Sequence, residues 1–189
     1  MHIANSFEEV ADHRPSVCTV GMFDGVHLGH RALIGATVSD AQSRGLRSVV
    51  VTFFPHPRQV LSGKPVLTLT PPAEKARLIG ALGCDLVVML RFTEAMAAWT
   101  AAHFVDQMVA YLGLRQLWVG HDFALGRDRA GGTAQLAALG LERGFGVHVV
   151  PPIDLSGGTI SSTRIRQAVQ RGEWEEVRQL LGRDATPDT

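Results

Sequence analysis

The chain has 189 residues, 46% of them hydrophobic, and its 18 Lys plus Arg balance 18 Asp plus Glu for a formal net charge of zero. That length and apolar fraction suit a single domain with a substantial core, and the charge balance argues against a broad nucleic-acid footprint. No stretch approaches the roughly 18 uninterrupted apolar residues of a membrane span, and the N-terminus lacks an apolar signal core, so no membrane association and a soluble cytoplasmic protein are expected.

In chain order, residues 17–21 read as a strand, 28–43 as a helix, 47–53 as a strand, 72–82 as a helix, 85–90 as a strand and 101–112 as a helix. Strands at 116–119 and 147–150 flank a helix at 135–143, and two short helices follow, one capped by Ser161-Ser162-Thr163 and running to Gln170, the other at 173–181. This alternation predicts βαβ units, hence a mainly parallel sheet with helices on both faces. Cys18 and Cys84 fall in apolar runs that read as strands, so each reads as a buried hydrophobe and not as part of a disulfide or zinc cluster. Trp99, Trp118 and Trp174 read as helical packing residues.

Ligands on open α/β sheets bind beyond the carboxyl ends of the strands, and four unusual segments follow strands here. The first, Gly21-Met22-Phe23-Asp24-Gly25-Val26-His27-Leu28-Gly29-His30, is a glycine-rich strand-to-helix turn. Its glycines permit close backbone approach, and His27 and His30, three apart, share one face of the first helical turn, aimed at an anion on the helix N-terminus. Two such histidines could also hold a metal, although no local spacing supplies the third protein ligand a zinc site needs. The second, Ile160-Ser161-Ser162-Thr163-Arg164-Ile165-Arg166, is another helix start with hydroxyls and two arginines. Cations there oppose the helix macrodipole, which makes an anion partner the easier explanation. The two starts together suggest a split triphosphate cradle, and the absence of GxxxxGK[ST] disfavours a P-loop. Thr52-Phe53-Phe54-Pro55-His56-Pro57 is a proline-stiffened loop suited to a flat ligand, or else a rigid apolar turn. Residues 120–129, opening Gly120-His121-Asp122-Phe123, read equally as a substrate loop or a solvated surface loop.

These segments in this order resemble the FMN adenylyltransferase module of the bacterial bifunctional FAD synthetases (riboflavin kinase/FMN adenylyltransferase), within the HxGH nucleotidylyltransferase superfamily. The resemblance covers roughly residues 16–183 and implies a Rossmann-like α/β fold and the reaction of FMN with Mg-ATP to give FAD and pyrophosphate. It implies catalytic roles for His27, His30 and Arg164. ATP would lie against Gly21, Phe23, Asp24, Gly25, His27, Gly29, His30, Gly120, Asp122, Ser161, Ser162, Thr163 and Arg164. The flavin would lie near Phe53, Phe54, His56, Pro57, Asp122, Phe123 and Arg127. Mg2+ would arrive with ATP, with no confident protein ligands. The chain departs from the family pattern at Phe54 and Gly132, where acidic residues are common, and at Leu125, where a second aromatic is common. A single adenylyltransferase-like domain over 1–189 is expected, without the riboflavin kinase module of bifunctional members. A related transferase using CTP or another phosphorylated acceptor, or a catalytically weak flavin- or nucleotide-binding protein, are the alternative readings.

Overall fold

The computed structural model describes residues 1–185. Its strands β1 (His2–Ala4), β2 (Ser16–Val20), β3 (Arg47–Phe54), β4 (Leu86–Arg91), β5 (Leu114–Gly120) and β6 (Gly146–Val150) form one sheet in the order β1-β4-β3-β2-β5-β6. Every pairing within it is parallel. The connections are α1 (Leu28–Arg44), α2 (Pro57–Ser62), α3 (Pro72–Gly80), α4 (Glu94–Ala97), α5 (Ala101–Leu112) and α6 (Thr133–Arg143). A small antiparallel hairpin, β7 (Asp154–Leu155) and β8 (Gly158–Thr159), precedes α7 (Ser162–Arg171) and α8 (Trp174–Leu181).

Both faces of the sheet are covered, which explains why its central strands are continuously apolar and do not alternate with polar residues. On one face, Val49, Val51 and Phe53 of β3 and Val88 and Leu90 of β4 pack with Phe104, Met108 and Leu112 of α5 and Leu136 of α6. The intervening Val50 and Val87 pack on the other face with Ile34 of α1 and Ile79 of α3. A third cluster, Ile160, Ile165, Ala168, Val177 and Leu180, joins α7 to α8 and receives Leu28 and Leu69, so the C-terminal helix pair is fastened beside the start of α1.

The chain goes from β2 to β3 and β4 on one side, then returns to place β5 and β6 on the other. The topological switch point therefore lies between the carboxyl ends of β2 and β5, the crevice where such sheets bind ligands.

Three expectations are corrected. Cys84 lies in the turn before β4, not in a strand, although it and Cys18 are both buried and unbonded. Burial pushes their thiols up to about 11 and about 12 respectively. Trp118 is on β5, donating through Nε1 to Asp40 at 3.0 Å, and Trp99 precedes α5, which leaves Trp174 alone on a helix. The strand β1, the helices α2 and α4 and the β7–β8 hairpin were not foreseen. Each is short, and β1 exists only through its pairing with the distant β4.

Candidate active site

The turn after β2 is held in a conformation that L-residues rarely adopt. Phe23 and Val26 have φ of 48° and 39°, and Gly25 has 86°. Such backbone persists only where its surroundings over-determine it. Here the surroundings are Asp24 and its partners. The nearly fully buried Asp24 carboxylate accepts from the backbone N–H groups of Leu69 (3.0 Å) and Thr70 (3.1 Å), from the Thr70 hydroxyl and from Arg166. Ser162 Oγ donates to the Asp24 carbonyl at 2.8 Å, and Gly25 N–H donates to Thr70 Oγ1 at 2.9 Å. One acidic residue thus binds together the turn after β2, the strand-free segment before α3 and the start of α7.

At the start of α1, His27 is the N-cap. Its Nδ1 accepts from the His30 backbone N–H at 3.2 Å, so the neutral ring carries its proton on Nε2 and presents a donor outward from the cap. The His27 and His30 rings stack with centroids 3.6 Å apart, and the edge of Phe23 meets His30 at 5.2 Å. Gly29 makes room for this stack: a Cβ there would meet His27 Cε1 at 3.2 Å and Nδ1 at 3.3 Å. Burial lowers the His27 imidazole to about 4, against the opposing pull of Asp24. Burial, with His27 and Lys75 as neighbours, drives His30 well below its ordinary value, and His30 Nδ1 is buried without a hydrogen-bond partner. Near neutral pH the pair therefore consists of two uncharged, closely packed imidazoles, one with an unfilled polar atom.

Neither α1 nor α7 carries an acidic residue in its first turn. Ser161 caps α7, accepting from Arg164 N–H at 3.2 Å. A FAD synthetase family model matches residues 9–164. The chain belongs to the FAD synthetase family.

Relatives and neighbours agree with the observed architecture. A bifunctional riboflavin kinase/FMN adenylyltransferase of Pseudomonas fluorescens is 36% identical over 173 residues, 91% of this chain and 56% of that protein. The chain spans about half the length of the curated relatives it matches. A crystal structure described as a macrolide-efflux protein from Streptococcus pneumoniae superposes with a TM-score of 0.85 at 30% identity, covering 97% of this chain and 60% of that one. In the present chain no helix among the described residues is long and apolar enough to cross a membrane. The pantothenate synthetase of Thermus thermophilus shares the fold, with a TM-score of 0.55 at 18% identity over 95% of this chain and 80% of its own.

Against this family background the structure gathers some foreseen residues and directs others elsewhere. Gly21, Phe23, Asp24, Gly25, His27, Gly29 and His30 form one turn, and Ser162 joins it through Asp24. Gly21 lies against the Phe23 ring, where a Cβ would come within 2.8 Å of Cζ. The two α7 arginines, expected to seek an external anion, have internal ones. Arg166 pairs with Asp24 and also donates to Leu67 O, while Arg164 pairs with Glu176 and donates to the hairpin carbonyls of Leu155 and Gly158, each at 2.8 Å. Thr163 lies next to Ser162 in the first turn of α7.

In the proline loop the β alternation sends Phe53 into the core, edge-on to Phe92, and leaves Phe54 exposed. His56 caps α2 by accepting from Arg58 N–H at 3.1 Å, with Pro57 as the first helical residue. Burial and the nearby Arg166 charge lower its imidazole. After β5, Gly120 accepts from Phe123 N–H, Phe123 rests on the core, and Asp122 gives its carbonyl to Arg129. Arg127 points to solvent beside Asp128. Leu125 is buried and bridged to Gly131, and Gly132 is the N-cap of α6 without a side-chain bond.

Sequence reading missed Lys75, Thr70 and Arg183. Lys75 looks like an ordinary solvated lysine on an amphipathic helix, yet it is buried against the ends of β2 and β3. Arg183 follows α8 and donates to Val26 O at 3.4 Å. Only the packing of distant segments identifies either one.

Proposed function

We propose that this chain transfers AMP from Mg-ATP to FMN, giving FAD and pyrophosphate, and that residues 1–189 act as one adenylyltransferase unit. The observation that carries the reading is the stacked, uncharged His27–His30 pair at the N-terminus of α1, beside the switch point of a FAD synthetase family sheet. In this reading an FMN phosphate oxygen attacks the α-phosphorus of ATP, the new P–O bond forms as the bond to the β-phosphate bridging oxygen breaks, and pyrophosphate leaves in line. No protein nucleophile is required.

The attacking phosphate is already anionic at neutral pH, so a general base adds little. The protein's task is to position two phosphates and to stabilise the charge that spreads as the bond breaks. Positioning of this kind supplies on the order of 7–11 kcal/mol, and each preorganised donor about 2.7–4 kcal/mol. His27 offers its Nε2–H, while the half-buried His30 keeps an unpartnered Nδ1 and, as a neutral imidazole, one donor and one acceptor nitrogen. The free N–H groups at the starts of α1 and α7 complete a two-sided cradle for the triphosphate, with Ser161, Ser162 and Thr163 on the α7 side. Arg164, held by Glu176, serves in this reading as a brace for the hairpin in front of α7. In this reading Mg2+ arrives with ATP, and the buried Asp24 already has both oxygens engaged within the protein. The flavin lies toward the exposed Phe54, His56 and Pro57 and the Asp122–Phe123 turn.

The test is incubation of the purified protein with FMN, ATP and magnesium, chromatography for FAD and a parallel pyrophosphate assay. FAD and pyrophosphate should appear in equal amounts, and His30→Ala should lower turnover at least about a hundredfold while circular dichroism stays native. If FMN and ATP bind without product, or if CTP or another phosphorylated acceptor is used instead, the reading fails.

A further inference from the structure

We propose that Lys75 is a positioning residue for the transfer, its buried ammonium clamping the phosphate turn after β2 to the proline loop after β3 and supplying positive charge to the edge where the phosphates meet. This deepens the adenylyltransferase reading and rests on it.

The geometry is specific. Lys75 comes from α3, is 3% exposed, and its Nζ donates to Met22 O at 3.1 Å and to Phe53 O at 3.0 Å. Met22 lies in the turn that carries His27, and Phe53 is the penultimate residue of β3, just before the loop that carries His56. The Met22 carbonyl is shared, because Thr52 Oγ1 also donates to it at 3.0 Å. One ammonium therefore sets the spacing between the loops expected to hold the two substrates. Its third N–H is not taken by a protein acceptor among the described residues, and Lys75 lines a small cavity with Asp24, His56, Thr68 and Thr70.

The charge argument points the same way. Arg47 and Lys75 are the buried Lys and Arg residues, and Arg47 begins β3 at the opposite edge of the sheet. At the ligand edge, Arg166 is matched by Asp24 and Arg164 by Glu176, the half-buried Arg183 donates to the Val26 carbonyl, and the two histidines are neutral near pH 7. No carboxylate oxygen lies within 4 Å of Lys75 Nζ among the described residues, although Asp24 acts on it at longer range. A buried cation without a contacting counterion is costly in an empty protein and favourable when an anion arrives. The ionisable groups around it are Asp24, His30, His56 and Arg166, and its own ammonium is brought down to about 8 by burial. Activity should therefore decline on an alkaline limb well below the ordinary lysine range.

The experiment compares wild type, Lys75→Met and Lys75→Gln, the last retaining N–H donors without the charge. FAD synthesis is measured from pH 6.5 to 9.5, with calorimetric titration of FMN and of a non-hydrolysable Mg-ATP analogue at pH 7 and 9. We expect kcat/KM of the wild type to fall about tenfold per pH unit above pH 8, and both variants to lose tenfold or more at pH 7 without that limb. Binding of the ATP analogue to the wild type should weaken at least fivefold at pH 9, with no such change in the variants. A variant that melts like wild type and retains turnover within twofold, or one that keeps the alkaline limb, overturns the proposal. If Lys75→Met does not fold, Lys75→Gln and the wild-type binding profile decide it, and a pH-independent affinity overturns it. If FAD never forms but the analogue binds with the expected pH dependence, the acceptor assignment fails and the role of Lys75 stands.

Discussion

Replacing Asp24 by Asn tests the claim that one buried carboxylate organises this site. The change is isosteric, so it opens no cavity, but it removes the negative charge opposite Arg166 and turns one of the two acceptors into a donor. The Asp24 and Arg166 side chains are 5% and 14% exposed. Arg166 would keep its bond to Leu67 O and lose its counterion, whereas the Leu69 and Thr70 amides can keep the remaining Asn oxygen. Stranding a buried charge by removing its partner costs about 3–5 kcal/mol. At roughly 2–4 °C per kcal/mol for a chain of this size, Tm should fall by about 6–20 °C. A solvent-exposed pair would be worth about 0–1 kcal/mol, a shift of under about 4 °C, so the two cases separate cleanly. Thermal melts followed by circular dichroism, paired with urea titrations, measure the loss. The double variant Asp24→Asn, Arg166→Met removes the stranded charge as well and should recover part of it, giving a positive coupling in the double-mutant cycle. A Tm within 4 °C of wild type for Asp24→Asn would refute the idea that this pair fastens α7 to the turn after β2.

Two further outcomes follow from the histidine stack. His27 is held near 4 in the fold against an ordinary value of 6.5, so on acidification the unfolded chain takes up the proton first. Its contribution is intact above about pH 6.5 and is lost progressively down to about pH 4, by roughly 3 kcal/mol at the upper limit. Urea titrations at pH 7, 5.5 and 4.5 should show a shallower acid slope for His27→Gln than for wild type, and identical slopes would contradict the burial argument. Gly29→Ala adds a Cβ that presses on the His27 ring at 3.2–3.3 Å while gaining about 1 kcal/mol of helix propensity. It should therefore lower turnover tenfold or more with little loss in Tm, and turnover within twofold of wild type would show that the exact ring position is unimportant.

Much of the site was legible locally. A glycine-rich turn between an apolar strand and a helix, with histidines three apart, needs only near neighbours to form, and His27 capping α1 is a contact over three residues. The same holds for Ser161 at α7 and for the strands, whose β-branched runs carry their own signal. The local pattern aims both histidines at an anion, but the fold buries His27, half-buries His30 and stacks the two rings on one another against Phe23. Likewise, Phe53 and Phe54 are adjacent aromatics with no local distinction, and only the covered sheet decides that one is core and the other exposed.

The sequence by itself determined an α/β chain with a capped helix start near each end, one bearing histidines and the other hydroxyls, because periodicity, capping and turn chemistry act over a few residues. Only the tertiary structure decided that Arg166 closes on Asp24 across 142 positions, that Arg164 turns to Glu176, and that Lys75 reaches the ends of two strands. Those choices depend on which charges find partners out of water, and that is settled by packing between segments that no local pattern connects.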